Sequence, residues 1–231
     1  MSNQAAIAIM ARAPNGRYAP KSRLRHGIPE EADRRDLYRG FLLDTLTACR
    51  SIANVTVHVA YAPDGGMDGF ETLDLSPSDL LAQRGNDLGT RQCGVFEDLF
   101  DAGYSTVLVI GSDLPTLPVQ YIEDALSKVN DSLVVLGPSE DGGYYLMGLT
   151  APRKHAPVPD LFTNIRWSTA SALEDTIHAA ERTGLTVSEV ASWYDVDTVD
   201  GLARLQEDLT TAKHIQRAPE TVRTLRRITS R

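Results

Sequence analysis

Short apolar runs alternate along this chain with stretches whose apolar residues recur at helical spacing, and this alternation restricts the fold more than any other feature. Residues 5–11, 105–110 and 133–136 are apolar runs of strand length, and 55–61 alternates as a strand does. Leu37, Phe41, Thr45, Leu46, Cys49 and Ile52 share one side of a helix over 30–52, and Leu88, Gln92, Val95, Phe96, Leu99 and Phe100 mark a second that ends at Gly103. A helix over 118–129 carries proline in its first turn, and 144–149 reads as a strand joined to its predecessor through the Gly142-Gly143 bend. Helices over 169–183, 199–208 and 220–228 complete the chain. After the turn Pro63-Asp64-Gly65-Gly66 the period decides nothing, although Ser76-Pro77-Ser78-Asp79 can open a helical turn. Strands and helices taken in turn predict an α/β fold, a mostly parallel sheet sandwiched by helices. A length of 231 residues suits a single domain over 1–231, with 210–231 as a C-terminal helical extension.

The net charge of −8 argues against nucleic-acid or membrane-surface partners, which need a broad basic face. Locally the balance reverses. No acidic residue precedes Glu30, while Arg12, Arg17, Lys21, Arg23 and Arg25 follow the first strand closely. That loop is either a solvated basic segment or an anion site, and its place at a strand exit favours the anion. Cys49 and Cys93 have neither disulfide-framework nor zinc-ligand spacing, and Cys49 reads as core. Neither a membrane-length apolar run nor a leader-like N-terminus is present, so the expected location is cytoplasmic. Residues 152–159 form a proline-rich loop, and Arg223, Arg226, Arg227 and Arg231 read as a solvated helix face.

Three acidic segments resemble strand exits. Residues 133–136 lead into Gly137-Pro138-Ser139-Glu140-Asp141-Gly142-Gly143-Tyr144-Tyr145, 105–110 into Gly111-Ser112-Asp113-Leu114-Pro115, and the third is Trp193-Tyr194-Asp195-Val196-Asp197-Thr198. Ligands of open α/β sheets bind outside the carboxyl ends of strands, so these exits can converge on one crevice. Gathered carboxylates repel unless a cation or proton lies among them. Asp113 is placed to bind a hard cation bridging a diphosphate, or else to cap the helix near Pro118. Asp197 is a second carboxylate for the cation or a cap for the helix from Val199, with Asp195 as its substitute. Lys21 and Arg23 can cradle phosphates. The segment 83–91 places Gln83 against a nucleotide base, or is a helix start with Asp87 as its cap. Trp167 walls a substrate pocket or belongs to the core. GxxxxGK[ST], GxGxxG after the first strand and GxSxG are all missing, which disfavours P-loop kinases, dinucleotide dehydrogenases and serine hydrolases.

Residues 11–14 through 21–24, 83–91, 111–115, 137–149, Leu161-Phe162 with Trp167-Ser168-Thr169, and 195–198 together resemble a bacterial domain-of-unknown-function family of glycosyltransferase-A-type transferases, including arsenosugar-biosynthesis glycosyltransferases. Related folds include molybdenum-cofactor nucleotidyltransferases and phospholactate guanylyltransferase. The resemblance implies a nucleotide-diphospho-sugar transferase fold. It puts Asp113 in the metal position and the early basic loop at the donor phosphates, while the residues themselves add Asp197 as a second ligand for Mg²⁺ or Mn²⁺ and Ala11, Arg12, Lys21, Arg23, Gln83, Asp87 and Ser112 as nucleotide contacts. The resemblance also places Asp141, Gly142, Gly143 and Tyr144 against the donor sugar or acceptor; Trp167 is a further candidate for the substrate pocket, and Asp141 or Glu140 is the candidate base for an acceptor hydroxyl. This chain has Gly16-Arg17-Tyr18-Ala19-Pro20 before Lys21, a longer loop than the family's compact turn, and Leu114 in place of the family's usual cysteine.

The first expected activity is metal-dependent glycosyl transfer from a nucleotide-activated sugar to a small acceptor. The alternative is nucleotidyl transfer from an NTP to a phosphorylated small molecule, with release of pyrophosphate. A third reading is nucleotide binding without turnover.

Overall fold

The computed structural model describes residues 4–62, 66–130, 133–152 and 156–230. Most of the turn at 63–66, part of the proline-rich loop and Arg231 lie outside the described residues. Seven strands form one sheet: β1 (Ala5–Ala11), β2 (Val55–Tyr61), β3 (Leu80–Ala82), β4 (Thr106–Gly111), β5 (Leu133–Pro138), β6 (Tyr144–Thr150) and β7 (Thr186–Glu189). Their order is β3-β2-β1-β4-β6-β5-β7. Every pairing is parallel except those of β6, which runs antiparallel to β4 and β5.

The continuous apolarity of the central strands follows from burial on both faces. Ile7, Ile9, Leu108 and Ile110 enter one core cluster, while their neighbours Ala6, Ala8, Val107 and Val109 enter the other. Helices α1 (Glu31–Arg50) and α3 (Val119–Lys128) cover the first face through Leu42, Leu46, Cys49, Ile122 and Ala125. Helices α2 (Leu88–Asp101) and α4 (Ala172–Arg182) cover the second through Val95, Phe96, Leu99 and Ala180.

The far side of α1 is also buried. Leu37, Tyr38 and Phe41 pack with Leu24, Tyr194 and Val196, with Leu202 and Leu205 of α5 (Val199–Asp208), and with Leu225 of α7 (Pro219–Thr229). This outer layer draws the early basic loop and the acidic segment near 195 together, though 176 residues separate Lys21 from Asp197. Gly40 lets the start of α7 approach α1, since a Cβ there would lie 3.2 Å from the Thr221 nitrogen.

Several expectations are corrected. Residues 193–198 do follow a strand exit, but the strand is β7, parallel to β5, which the sequence reading did not contain. They form a loop beyond β7, fixed by bonds from Trp193 N to Pro138 O (3.1 Å) and from Val196 N to Asp113 O (3.0 Å). The edge strands β3 and β7 and helix α6 (Ala212–Arg217) are additions to the sequence reading. The undecided stretch holds two 3₁₀ turns, Met67–Phe70 and Pro77–Asp79, the second capped by Ser76. Arg227 is ion-paired with Asp33 and Asp36, so that face of α7 is not simply solvated. No described helix is long and apolar enough to cross a membrane.

Candidate functional site

A cavity of about 860 Å³ opens where β1 and β4 end side by side. Ala11, Arg12, Lys21, Arg23, Gln83, Ser112, Asp113 and Asp197, all expected at a nucleotide or metal, line it. Tyr38 of α1, a residue the sequence reading passed over, ties the two strand exits together. Its hydroxyl accepts the Arg12 amide proton at 2.9 Å and lies 3.0 Å from Ser112 Oγ. Burial pushes the Tyr38 phenol up, with Asp113 adding to the effect, so it stays protonated. The available signal was a hydroxyl-bearing aromatic set between Leu37 and Phe41 on a buried helix face.

Lys21 joins the two carboxylates. Its Nζ lies 2.7 Å from Asp113 Oδ2 and 2.6 Å from Asp197 Oδ1, and its side chain is 2% exposed against 27% and 40% for the aspartates. The rings of Tyr38 and Phe41 stand 5.9 and 5.8 Å from the ammonium, at the edge of cation–π range. Lys21 has φ 58°, in the left-handed region that a residue bearing a Cβ adopts at a cost of about 1–2 kcal/mol. Burial opposes charging of the ammonium, but Asp113 and Asp197 outweigh it and hold its pKa above the ordinary value. Burial likewise opposes ionisation of Asp197, and Lys21 reverses this and lowers its pKa. Deeper burial and the nearby Asp197 keep Asp113 raised against the pull of Lys21.

The capping roles for these aspartates do not appear. Helix α3 has Pro118 at its N-cap, without a side-chain bond, and α5 is capped by Thr198, whose Oγ1 accepts from Gly201 N at 3.1 Å. Both carboxylates line the cavity instead. Gln83 is buried and donates to Ala60 O at 2.7 Å, which fixes its amide beside the cavity. Asp87 takes the cap reading rather than the nucleotide one. It caps α2 by accepting from Thr90 N at 2.8 Å and stands outside the lining.

The expected catalytic and substrate residues also stand outside the lining. Glu140 is ion-paired with Arg204, whose guanidinium stacks 3.9 Å over the Tyr194 ring. Asp141 accepts from Gly143 N at 3.0 Å within the tight turn joining β5 to β6. Gly142 has φ 87° in that turn, and a Cβ there would collide with the Ala170 backbone. Tyr144 donates to Gln92 Oε1 at 2.9 Å, and Trp167 packs edge-on against Tyr144 and over Gly89. Asp195, the substitute named for Asp197, also stands outside the lining. Burial, then Asp197 and Asp141, push its carboxyl up to about 6.

Asp113, Asp197 and the Ser112 hydroxyl form a hard-oxygen set of the kind that binds Mg²⁺ or Mn²⁺ together with water and phosphate oxygens. Both carboxylates are partly open to the cavity, so the residues fit such an ion, although the Lys21 ammonium already offsets part of their charge. No cluster of three or more His, Cys, Asp or Glu side chains able to hold a metal occurs among the described residues.

The family model described as "Uncharacterized protein conserved in bacteria (DUF2064)" matches residues 45–169, more than half of the chain. That span includes Asp113 and the 137–149 segment but neither Lys21 nor Asp197. A protein of Desulfovibrio desulfuricans G20, provisionally named a nucleotide-diphospho-sugar transferase, superposes with a TM-score of 0.84 at 30% identity, covering 100% of this chain and 96% of its own. CMP:2-keto-3-deoxy-manno-octonic acid synthetase, solved with CTP, gives a TM-score of 0.50 at 13% identity, over 90% of this chain and 98% of its own. A nucleotidyl transferase from Methanothermobacter gives 0.51 at 12% identity, over 90% and 97%. The sheet and its flanking helices thus have the nucleotide-diphospho-sugar transferase fold. No curated protein matches the sequence.

Proposed function

The chain belongs to this bacterial family, DUF2064, and from that premise we propose that it is a nucleotide-dependent transferase whose cavity holds the donor's phosphates. One observation carries the reading. In a protein of net charge −8, Arg12, Lys21, Arg23 and Arg91 line a cavity whose acidic residues, among those described, are Asp113 and Asp197, with Lys21 shared between the two and Arg23 3.5 Å from Asp197. Such a local excess of cations suits a di- or triphosphate, with charge-assisted hydrogen bonds supplying affinity. Gln83, with its amide held by Ala60 beside the cavity, would meet the base. Asp113 and Asp197 would hold Mg²⁺ or Mn²⁺, which would offset the charge of the departing phosphates.

The geometry best supports nucleotidyl transfer. An ionised phosphate of the acceptor attacks the α-phosphorus of an NTP, a new P–O bond forms, and the bond to the β-phosphate breaks to release pyrophosphate. That chemistry needs positioning and charge neutralisation more than a protein base. The two expected bases are engaged elsewhere, Glu140 by Arg204 and Asp141 by the Gly143 amide. Glycosyl transfer remains the second reading, favoured by the name of the Desulfovibrio protein at 30% identity.

A panel of NTPs with sugar phosphates, and of nucleotide-sugars with small acceptors, tests the proposal in the presence of Mg²⁺ or Mn²⁺. Pyrophosphate release with a coupled nucleotide product is expected. Release of nucleoside diphosphate from a nucleotide-sugar alone would move glycosyl transfer ahead. Absence of thermal stabilisation by every nucleotide tried would remove the nucleotide site altogether.

A further inference from the structure

Lys21 was expected to meet phosphate, yet its ammonium is turned inward and shared between Asp113 and Asp197. The backbone is committed to this arrangement. Lys21 sits in the left-handed region at the start of a 3₁₀ turn, Ser22–His26, whose Leu24 is fully buried and whose Leu24 amide donates to Lys21 O at 3.0 Å. A strained residue persists where its surroundings over-determine it. The surroundings here are the outer core layer, two aromatic faces and two carboxylates. The ammonium approaches from the protein side, while the aspartates keep partial exposure toward the cavity.

We propose that Lys21 is a positioning residue that acts as a tethered counter-ion, making divalent-cation binding at Asp113 and Asp197 conditional on a phosphate ligand. Two physical consequences follow from its place. It holds together two carboxylates that would otherwise repel, so the cation ligands are pre-set before any ligand arrives. Because Arg23 also lies 3.5 Å from Asp197, Lys21 brings the two carboxylates and two cations to zero net charge, where the site without Lys21 would carry −1, so a dication arriving alone meets a reduced attraction and like charges nearby. A di- or triphosphate restores the missing negative charge. The cation and the nucleotide therefore bind with positive coupling, and each raises the affinity of the other by the same factor. The inference rests on the cation role given to the two aspartates in the proposed function.

Equilibrium dialysis of Mn²⁺ against the wild type, Lys21→Met and Lys21→Arg tests this without turnover, first with Mn²⁺ alone and then with added pyrophosphate. Lys21→Met is expected to bind Mn²⁺ alone on the order of ten- to a hundredfold more tightly than the wild type, as removal of a charge a few ångströms away at partial exposure implies. Lys21→Arg, which keeps the charge, is expected to stay near the wild type. Pyrophosphate should strengthen Mn²⁺ retention in the wild type far more than in Lys21→Met. Equal Mn²⁺ affinity in the wild type and Lys21→Met, or an unchanged pyrophosphate effect, overturns the counter-ion role while leaving the cation site standing. Failure of every form to retain Mn²⁺, with or without pyrophosphate, overturns the cation site as well. If Lys21→Met does not fold, as judged by circular dichroism, Lys21→Gln takes its place, because its amide can still bridge the two carboxylates without a charge.

Discussion

Tyr38 and Asp141 show opposite outcomes at the residue scale. Tyr38 bonds the Arg12 amide and Ser112, so it fixes the exits of both β1 and β4 from behind the cavity. Tyr38→Phe should cost about 1–3 kcal/mol of stability, the usual penalty for a buried donor left without its partner. It should also weaken nucleotide binding several-fold, read by calorimetry beside a thermal melt. Loss of stability with unchanged affinity would make Tyr38 a core residue only. Asp141→Asn retains an oxygen that can accept from Gly143 N, and the side chain stands outside the cavity lining. Its kcat is therefore expected to stay within about threefold of the wild type. A fall of about 10²–10⁴-fold, the usual contribution of a positioned general base, would return Asp141 to that role and favour glycosyl transfer. Asp113, Asp197, Lys21 and Arg23 stood out in the sequence as charged residues at strand exits and in an early loop, and the structure brings all four to one cavity. That Lys21 would face the aspartates was not legible. The contact depends on an outer packing layer that local patterns do not encode.

At the scale of elements, long segments were read correctly and short or polar ones were missed. Helix α5 was expected over 199–208, which are its observed bounds, because its apolar residues recur over several turns. Strand β7 has four residues, of which Thr186 and Glu189 are exposed, and so carries no usable period. The docking of α7 on α1 has its own chemistry. Asp44 accepts from Glu220 N at 3.0 Å and Thr221 N at 2.9 Å, placing a carboxylate at the start of α7. Burial nonetheless outweighs these bonds and pushes the Asp44 carboxyl up to about 6 from its usual 3.8. The folded protein thus holds this proton more tightly than the unfolded chain. The associated stabilisation is fully present below about pH 4 and is lost as pH rises through about 6. Stability of the wild type relative to Asp44→Asn, from urea titrations at several pH values, should therefore decline between pH 4 and pH 6.5. A difference that stays flat or grows over that interval would show that the amide bonds, not burial, dominate at Asp44.

At the scale of the whole molecule, the site lies where two layers meet. Asp113 leaves the central sheet, whereas Lys21 and Asp197 sit beside residues of the outer cluster that α1 shares with α5 and α7. The sheet was legible from the alternation of runs, but the outer layer was not, because α1 is buried on two sides and its sequence does not say which partner covers which. A ligand that bridges Asp113, Lys21 and Asp197 should therefore hold the outer layer against the sheet. In the ligand-free protein, amides of α5 and α7 are expected to exchange through openings of lower free energy than those of β1 and β4, since fewer buried apolar contacts hold them. A nucleotide at about 100 times its Kd lowers the population of binding-incompetent states by about 2.7 kcal/mol. Exchange in α5 and α7 should then slow by about 100-fold, while that of the sheet core slows only to the extent that it proceeds by openings that disrupt the cavity. Hydrogen exchange read by mass spectrometry, with and without nucleotide and Mn²⁺, gives the comparison. Slowing confined to residues 11–24 and 111–113, with α5 and α7 unchanged, would mean that the ligand is held by the sheet side alone and that Asp197 is not among its anchors.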